Sequence, residues 1–312
     1  MNPWARWVQF TGRRIDARPL RLVMAFIPLC ILGDAAAMVW RGALPAVLYS
    51  AAFGGINATH HPSLFLGHAP WVGPALWWTM VMSSVLVLLG QRVASGRLLR
   101  PALLVLLVAS AQFGHFYVPG DRGIDRILRT VMVLLLFSEV SAPGARKTVA
   151  AWPADLLKVL LAIVYVSAGE AKIGAAPGWT DPTTPELYTI LAAPMVGRLD
   201  AASWYGHPLP FVVGGVFTLV LEYTSFLLLT RWARYWAVLG AALHVGLVLT
   251  MELGMFPFGM LALYPVLLAP WTEQVLDRIS SATGVGQVGD ASPAPRPEDA
   301  SPEAPAAAET SR

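Results

Sequence analysis

An all-α integral membrane bundle of about eight transmembrane helices, with one or two short interfacial or re-entrant helices, is the fold class the sequence predicts. The first reason is composition: the 312 residues are 56% hydrophobic and only 13% charged, whereas soluble domains carry about 25% charged residues. The second is that apolar runs of bilayer-spanning length recur along almost the whole chain. The third is that Lys and Arg gather at the ends of these runs, with Trp71, Trp77, Trp78, Trp179, Trp204, Trp232, Trp236 and Trp271 near the expected interfaces. The net charge of +3 is dispersed and forms no contiguous basic patch, which argues against a nucleic-acid partner and leaves the lipid bilayer as the expected surrounding. A single cysteine, Cys30, excludes an intramolecular disulfide and a thiolate metal cluster.

Residues 1–19 form a basic N-terminal segment containing Arg6, Arg13, Arg14 and Arg18. No small-residue cleavage site follows the first apolar run, so that run reads as a retained helix rather than a signal peptide. The membrane domain, 20–279, holds candidate spans at 20–40, 70–90, 99–118, 124–140, 155–172, 209–230, 235–251 and 256–270. The stretch 43–55 is apolar but short and contains Pro45 and a glycine pair, so it reads as interfacial or re-entrant, as does 185–199. From 280 to 312 the chain is rich in Pro, Ala, Ser and Glu, a composition that predicts a disordered tail. Alternating the spans places the N-terminus, the loops bearing Arg92, Arg97 and Arg100, Arg146 and Lys147, Arg231 and Arg234, and the C-terminus on one side. The excess of cations there predicts that side to be cytoplasmic, in a multi-pass membrane protein with both termini inside.

Ionisable residues within such spans are functional candidates, because charge in hydrocarbon is costly. Lys172 closes the run Tyr165-Val166-Ser167-Ala168-Gly169-Glu170-Ala171-Lys172. Steps of four and three residues put Tyr165, Gly169 and Lys172 on one helix face, and Gly169 leaves room for another helix or a flat ligand. Two readings of Lys172 stand: a lysine held in a functional pocket, or one whose long stem lets its ammonium reach the outer headgroups. Glu222 and His244 lie deep in their spans and must face the bundle interior, either as site residues or as hydrogen-bonding structural glue. Asp34 and Glu252 read as terminal or cap residues. The spacing of His60, His61 and His68 matches no standard zinc site, so no metal is expected. Asn57-Ala58-Thr59 is a formal glycosylation sequon that matters only in a secretory lumen.

Taken together, these residues resemble the HTTM family, the transmembrane domain shared by vitamin K-dependent γ-carboxylases and many bacterial membrane proteins. The resemblance is carried by Ile163-Val164-Tyr165-Val166-Ser167-Ala168-Gly169-Glu170-Ala171-Lys172 with Gly178-Trp179 after it. Asp16-Ala17-Arg18-Pro19-Leu20, Asp125-Arg126-Ile127-Leu128-Arg129, and Glu222 followed by His244 support it in the same order. It implies that Lys172 acts as a base toward a reduced quinone, with His244 and Glu222 as its catalytic companions and Tyr165, Gly169 and Trp179 lining the substrate site. A base role requires an amine that is neutral near pH 7, which an apolar pocket favours. The expected function is thus an enzyme acting on a quinone-like or other lipid-soluble substrate, similar to the carboxylases. The alternative is a non-catalytic assembly or lipid-binding membrane protein. No protein partner is identified by the sequence.

Overall fold

The computed structural model describes residues 12–48, 69–93, 96–116, 123–142, 146–174, 177–183, 185–193, 196–198, 200–204 and 206–283. Two short strands, β1 (Arg14–Asp16) and β2 (Thr148–Ala150), accompany helices α1 (Arg18–Trp40), α2 (Leu44–Leu48), α3 (Val72–Arg92), α4 (Gly96–Phe116), α5 (Gly123–Phe137), α6 (Trp152–Gly174) and α7 (Glu186–Ala192). The chain continues through α8 (Leu209–Tyr223), α9 (Ala233–Thr250), α10 (Phe256–Leu261), α11 (Tyr264–Leu267) and α12 (Ala269–Thr283). Among the described residues, those up to Thr272 form one compact unit, and those from Glu273 to Thr283 belong to a second.

Each expected span overlaps helix within the described residues, but the count as full-length spans is not reproduced. Among the described residues five helices are long and apolar enough to cross a membrane: α1, α3, α4 from Arg97, α8 continued by a 3-10 segment to Leu229, and α9. The others fall short for separate reasons. Helix α5 stops after 15 residues, where Ser138 turns into a 3-10 segment. Helix α6 has 23 residues but carries Asp155, Lys158, Glu170 and Lys172. The last apolar run is broken between α10 and α11, just before Pro265, whose ring and missing N–H oppose a continuous helix. Of the two short pieces, 185–199 contains α7; in 43–55 only α2 lies within the described residues.

Among lipid tails, apolar side chains gain little by leaving solvent, so helices associate through close packing. The principal core runs from Leu20, Met24 and Ile27 on α1 through Leu103 and Leu106 on α4 and Leu128 and Met132 on α5 to Leu157 and Leu161 on α6. Outside it, Leu104, Val105 and Val108 on α4 and Val213, Val216 and Val220 on α8 are exposed, as lipid-facing surfaces require. Close crossings rest on glycine. A Cβ on Gly169 would stand 3.0 Å from the Tyr223 ring, and one on Gly215 would stand 2.5 Å from the Trp179 carbonyl oxygen.

One end of the bundle is tied by β1 and β2, which pair antiparallel with Ile15 opposite Val149. The pairing is extended by Ala17 N–H donating to the Lys147 carbonyl at 3.0 Å and Ala151 N–H to the Arg13 carbonyl at 2.8 Å. Arg13 Nη2 reaches both carboxylate oxygens of Asp155 at 2.5 Å. Asp16 accepts the Arg18 backbone N–H at 2.7 Å, and Pro19 opens the first turn of α1, where its missing N–H is no loss. Arg14 and Arg146 flank Glu139 at 2.9 and 3.2 Å. These contacts fix the starts of α1 and α6 at the same end, so Trp40 and Gly174 mark the opposite end.

Candidate functional site

Helix α6 provides the frame. Its run from Trp152 is apolar with a good helical pattern, and Tyr165 and Gly169 fall on the buried face. The Gly169 gap is filled by α8, whose Tyr223 ring and Glu222 Cβ press against the backbone. A neighbouring helix, not a flat ligand, occupies the space the glycine opens. That approach brings Lys172 Nζ within 2.5 Å of Glu222 Oε1. The glutamate side chain is 6% exposed and the lysine 22%, so the pair is inside the bundle and the ammonium near its edge. Trp179, in a 3-10 turn after α6, lies with its ring centroid 5.2 Å from Nζ, a cation–π contact. Its carbonyl rests on Gly215 of α8. Glu170 lies one position off this face, while Lys172 pairs with Glu222.

About two turns deeper on the same face of α6, a second set forms around Tyr165. Its hydroxyl is 2.6 Å from His244 Nε2 and 3.1 Å from the Tyr264 hydroxyl. The Tyr165 ring meets Trp236 edge-on at 4.8 Å, and Trp236 Nε1 donates to the carbonyl of Leu221, the residue before Glu222. Ser225 adds a hydrogen bond to the Ala162 carbonyl at 2.9 Å. Helices α6, α8, α9 and α11 are thereby cross-linked by polar contacts within an apolar interior. Within these two sets Glu222 Oε2 and His244 Nδ1 stay buried and unpartnered. Buried polar atoms are normally paired, so each is a place where a further hydrogen-bonding group fits.

Lys172, Glu222 and Trp179 therefore meet, and His244 meets Tyr165; the two sets lie in series along α6. Tyr264 and Trp236 complete the second set and escaped the sequence reading, since aromatic residues in apolar runs look like core or interface. The available signal was Gly240, whose missing side chain admits the Tyr264 hydroxyl against α9.

Glu252 is a connector outside the spans, bound by Arg41 and, at 2.8 Å, by Arg198 Nε. Hydrogen bonds from Arg41 and then Arg198 hold its carboxyl below the ordinary glutamate value. Among the described residues no group of three or more His, Cys, Asp or Glu is arranged to hold a metal ion. His60, His61, His68 and the Asn57 sequon lie outside the described residues.

No curated protein and no solved structure matches the chain. The family model of the HTTM domain, in contrast, matches residues 68–271, a range that takes in α3 to α11 and both polar sets. The Asp16 to Leu20 motif stands before that range. Covering well over half of the sequence, this match shows that the chain belongs to the HTTM domain family.

Proposed function

We propose that this HTTM protein is a membrane enzyme in which Lys172 takes a proton from the hydroxyl of a quinol-like or other lipid-soluble substrate, as the lysine of the vitamin K-dependent carboxylases does. The observation that carries the reading is the Lys172–Glu222 pair itself, at 2.5 Å in a bundle whose neighbours are apolar. Such a pair contributes little net stability compared with apolar side chains of the same size, so its presence argues for chemistry. The pair can exist as ammonium and carboxylate or as amine and carboxylic acid, differing in where one proton sits. Only the second form offers a nitrogen lone pair to a substrate hydroxyl. The donor set suits a reduced quinone: the unpartnered Glu222 Oε2 can accept a hydroxyl, and the Trp179 ring offers an apolar face. The full arrangement we propose is about eight spans in the bacterial inner membrane, with both termini cytoplasmic and the Lys172 end of α6 facing the periplasm.

A second reading is favoured by one observation. Lys172 already has its partner, and so does Tyr165, which is how structural glue in a lipid-binding or assembly protein is built. The two separate in one experiment. Wild type, Lys172→Met and the double variant Lys172→Met/Glu222→Met are reconstituted in nanodiscs, and aerobic oxidation of a reduced short-chain naphthoquinone is followed by oxygen uptake. A base role requires the wild type to accelerate this oxidation, and both variants to lose about a hundredfold or more of the acceleration while remaining folded. Full activity in the double variant, or none in the wild type, would overturn the enzyme reading.

A further inference from the structure

Away from the Lys172 site, a cavity opens among α1, α3, α4 and α5, with Met255 from the segment after α9 closing one side. No residue of α6 or α8 lines it. Its walls mix polar and apolar side chains. Because β1 and β2 fix the starts of α1 and α6 together, Asp34 on α1 lies toward the same end of the bundle as Lys172, and Cys30 one turn deeper. Asp125 and Arg129 on α5, which begins at that end, stand at corresponding depth. Ile31, Met80 and Met132 line the same cavity with apolar surface.

Trp77 supplies the independent sign of a ligand. It lines the cavity, is 8% exposed, and its buried Nε1 has no hydrogen-bond partner. Its ring is fixed by an edge-on contact with Trp78 at 4.8 Å. An indole N–H is donor only, and a buried one normally finds an acceptor. Arg129 Nη1, in comparison, is engaged by the Ser110 carbonyl at 3.0 Å. With carboxylates and a guanidinium on the same wall, neither an anionic nor a cationic head is singled out.

We infer that this cavity binds a neutral amphiphile: a lipid-soluble molecule whose carbonyl or hydroxyl oxygen accepts from Trp77 Nε1, its hydrocarbon part lying against Cys30, Ile31, Met80 and Met132. The site is separate from Lys172 and does not depend on that residue's chemistry. The full-length protein in phosphatidylcholine vesicles is irradiated with a long-chain fatty alcohol carrying a diazirine near its chain end, and the cross-links are mapped by mass spectrometry. Labelling is expected to concentrate on the peptides bearing Cys30 and Met132 and to be competed by excess unlabelled alcohol. Trp77→Phe keeps the ring but removes the donor, and should cut this labelling about fivefold, the loss of one hydrogen bond. Ala35→Leu, filling the cavity from α1, should remove it while thermal stability confirms folding. Lys172→Met should leave it unchanged. Labels spread over lipid-facing Leu86, Leu104 and Val108, or insensitive to both cavity variants, would overturn the proposal, as would labelling that falls with Lys172→Met.

Discussion

At the scale of single residues, the two polar sets make opposite demands. Glu222 is almost fully enclosed, so removing Lys172 leaves a carboxylate without its cation. Lys172→Met is expected to cost about 3 kcal/mol, the lower end for a broken buried pair because the lysine keeps some exposure, measured as unfolding in mild detergent. Adding Glu222→Met should return most of that loss. Tyr165→Phe strips one hydroxyl from both His244 and Tyr264 and should cost about 1–3 kcal/mol. Lys172, Glu222 and His244 stood out in the sequence because charge or imidazole inside an apolar run is costly and calls for a partner. Tyr264 and Trp236 were not, since their partners come from helices distant in sequence and a hydroxyl on an apolar ring carries no local signal.

Between helices, the decisive quantity is how closely two backbones pass. The glycine spacing of α6 was readable, but whether a helix or a ligand filled the gap depended on tertiary packing, and α8 fills it. The crossings differ in tolerance. A methyl on Gly169 meets the edge of a tyrosine ring at 3.0 Å, which can shift by a few tenths of an ångström. A methyl on Gly215 meets a backbone carbonyl oxygen at 2.5 Å, which cannot shift without moving Trp179. Gly215→Ala is therefore expected to lower the melting temperature more than Gly169→Ala, with a cost of about 1–3 kcal/mol from overpacking. If Gly169→Ala proves the worse of the two, the α6–α8 crossing is tighter than described. Element boundaries were the less legible part: a hydropathy window averages over Ser138 and Pro265, whereas a helix ends at a single residue.

For the molecule as a whole, arginine asymmetry gave an orientation that reporter fusions can check. Fusions after Val118 and Leu199 should report the periplasm, and those after Arg97 and at the C-terminus the cytoplasm. A periplasmic C-terminus would require a different number of crossings. Deleting 291–312 is expected to leave melting in detergent nearly unchanged, as the composition of that stretch offers little apolar surface. Connectors outside the spans respond to acid. Because arginine hydrogen bonds hold the Glu252 and Glu139 carboxyls below the ordinary value of 4.5, their contribution is complete above that pH and is lost as pH falls through the lowered values. Melting temperature should thus drop in acid, and less steeply in Glu252→Gln than in wild type.

The small sheet has a consequence for biogenesis. Arg14 pairs with Ala150, and Arg13 with Asp155, so the start of α1 cannot be completed until the ribosome has delivered the beginning of α6. During synthesis α1, α3, α4 and α5 are made before β2, so β1 gains its pairing partner only as α6 follows. The helix that carries Lys172 is thus both the latch of the first half of the bundle and the first element of the second half. A chain interrupted before Thr148 should insert yet stay protease-sensitive at Arg13 and Arg14, whereas one extended through Gly174 should become protected there.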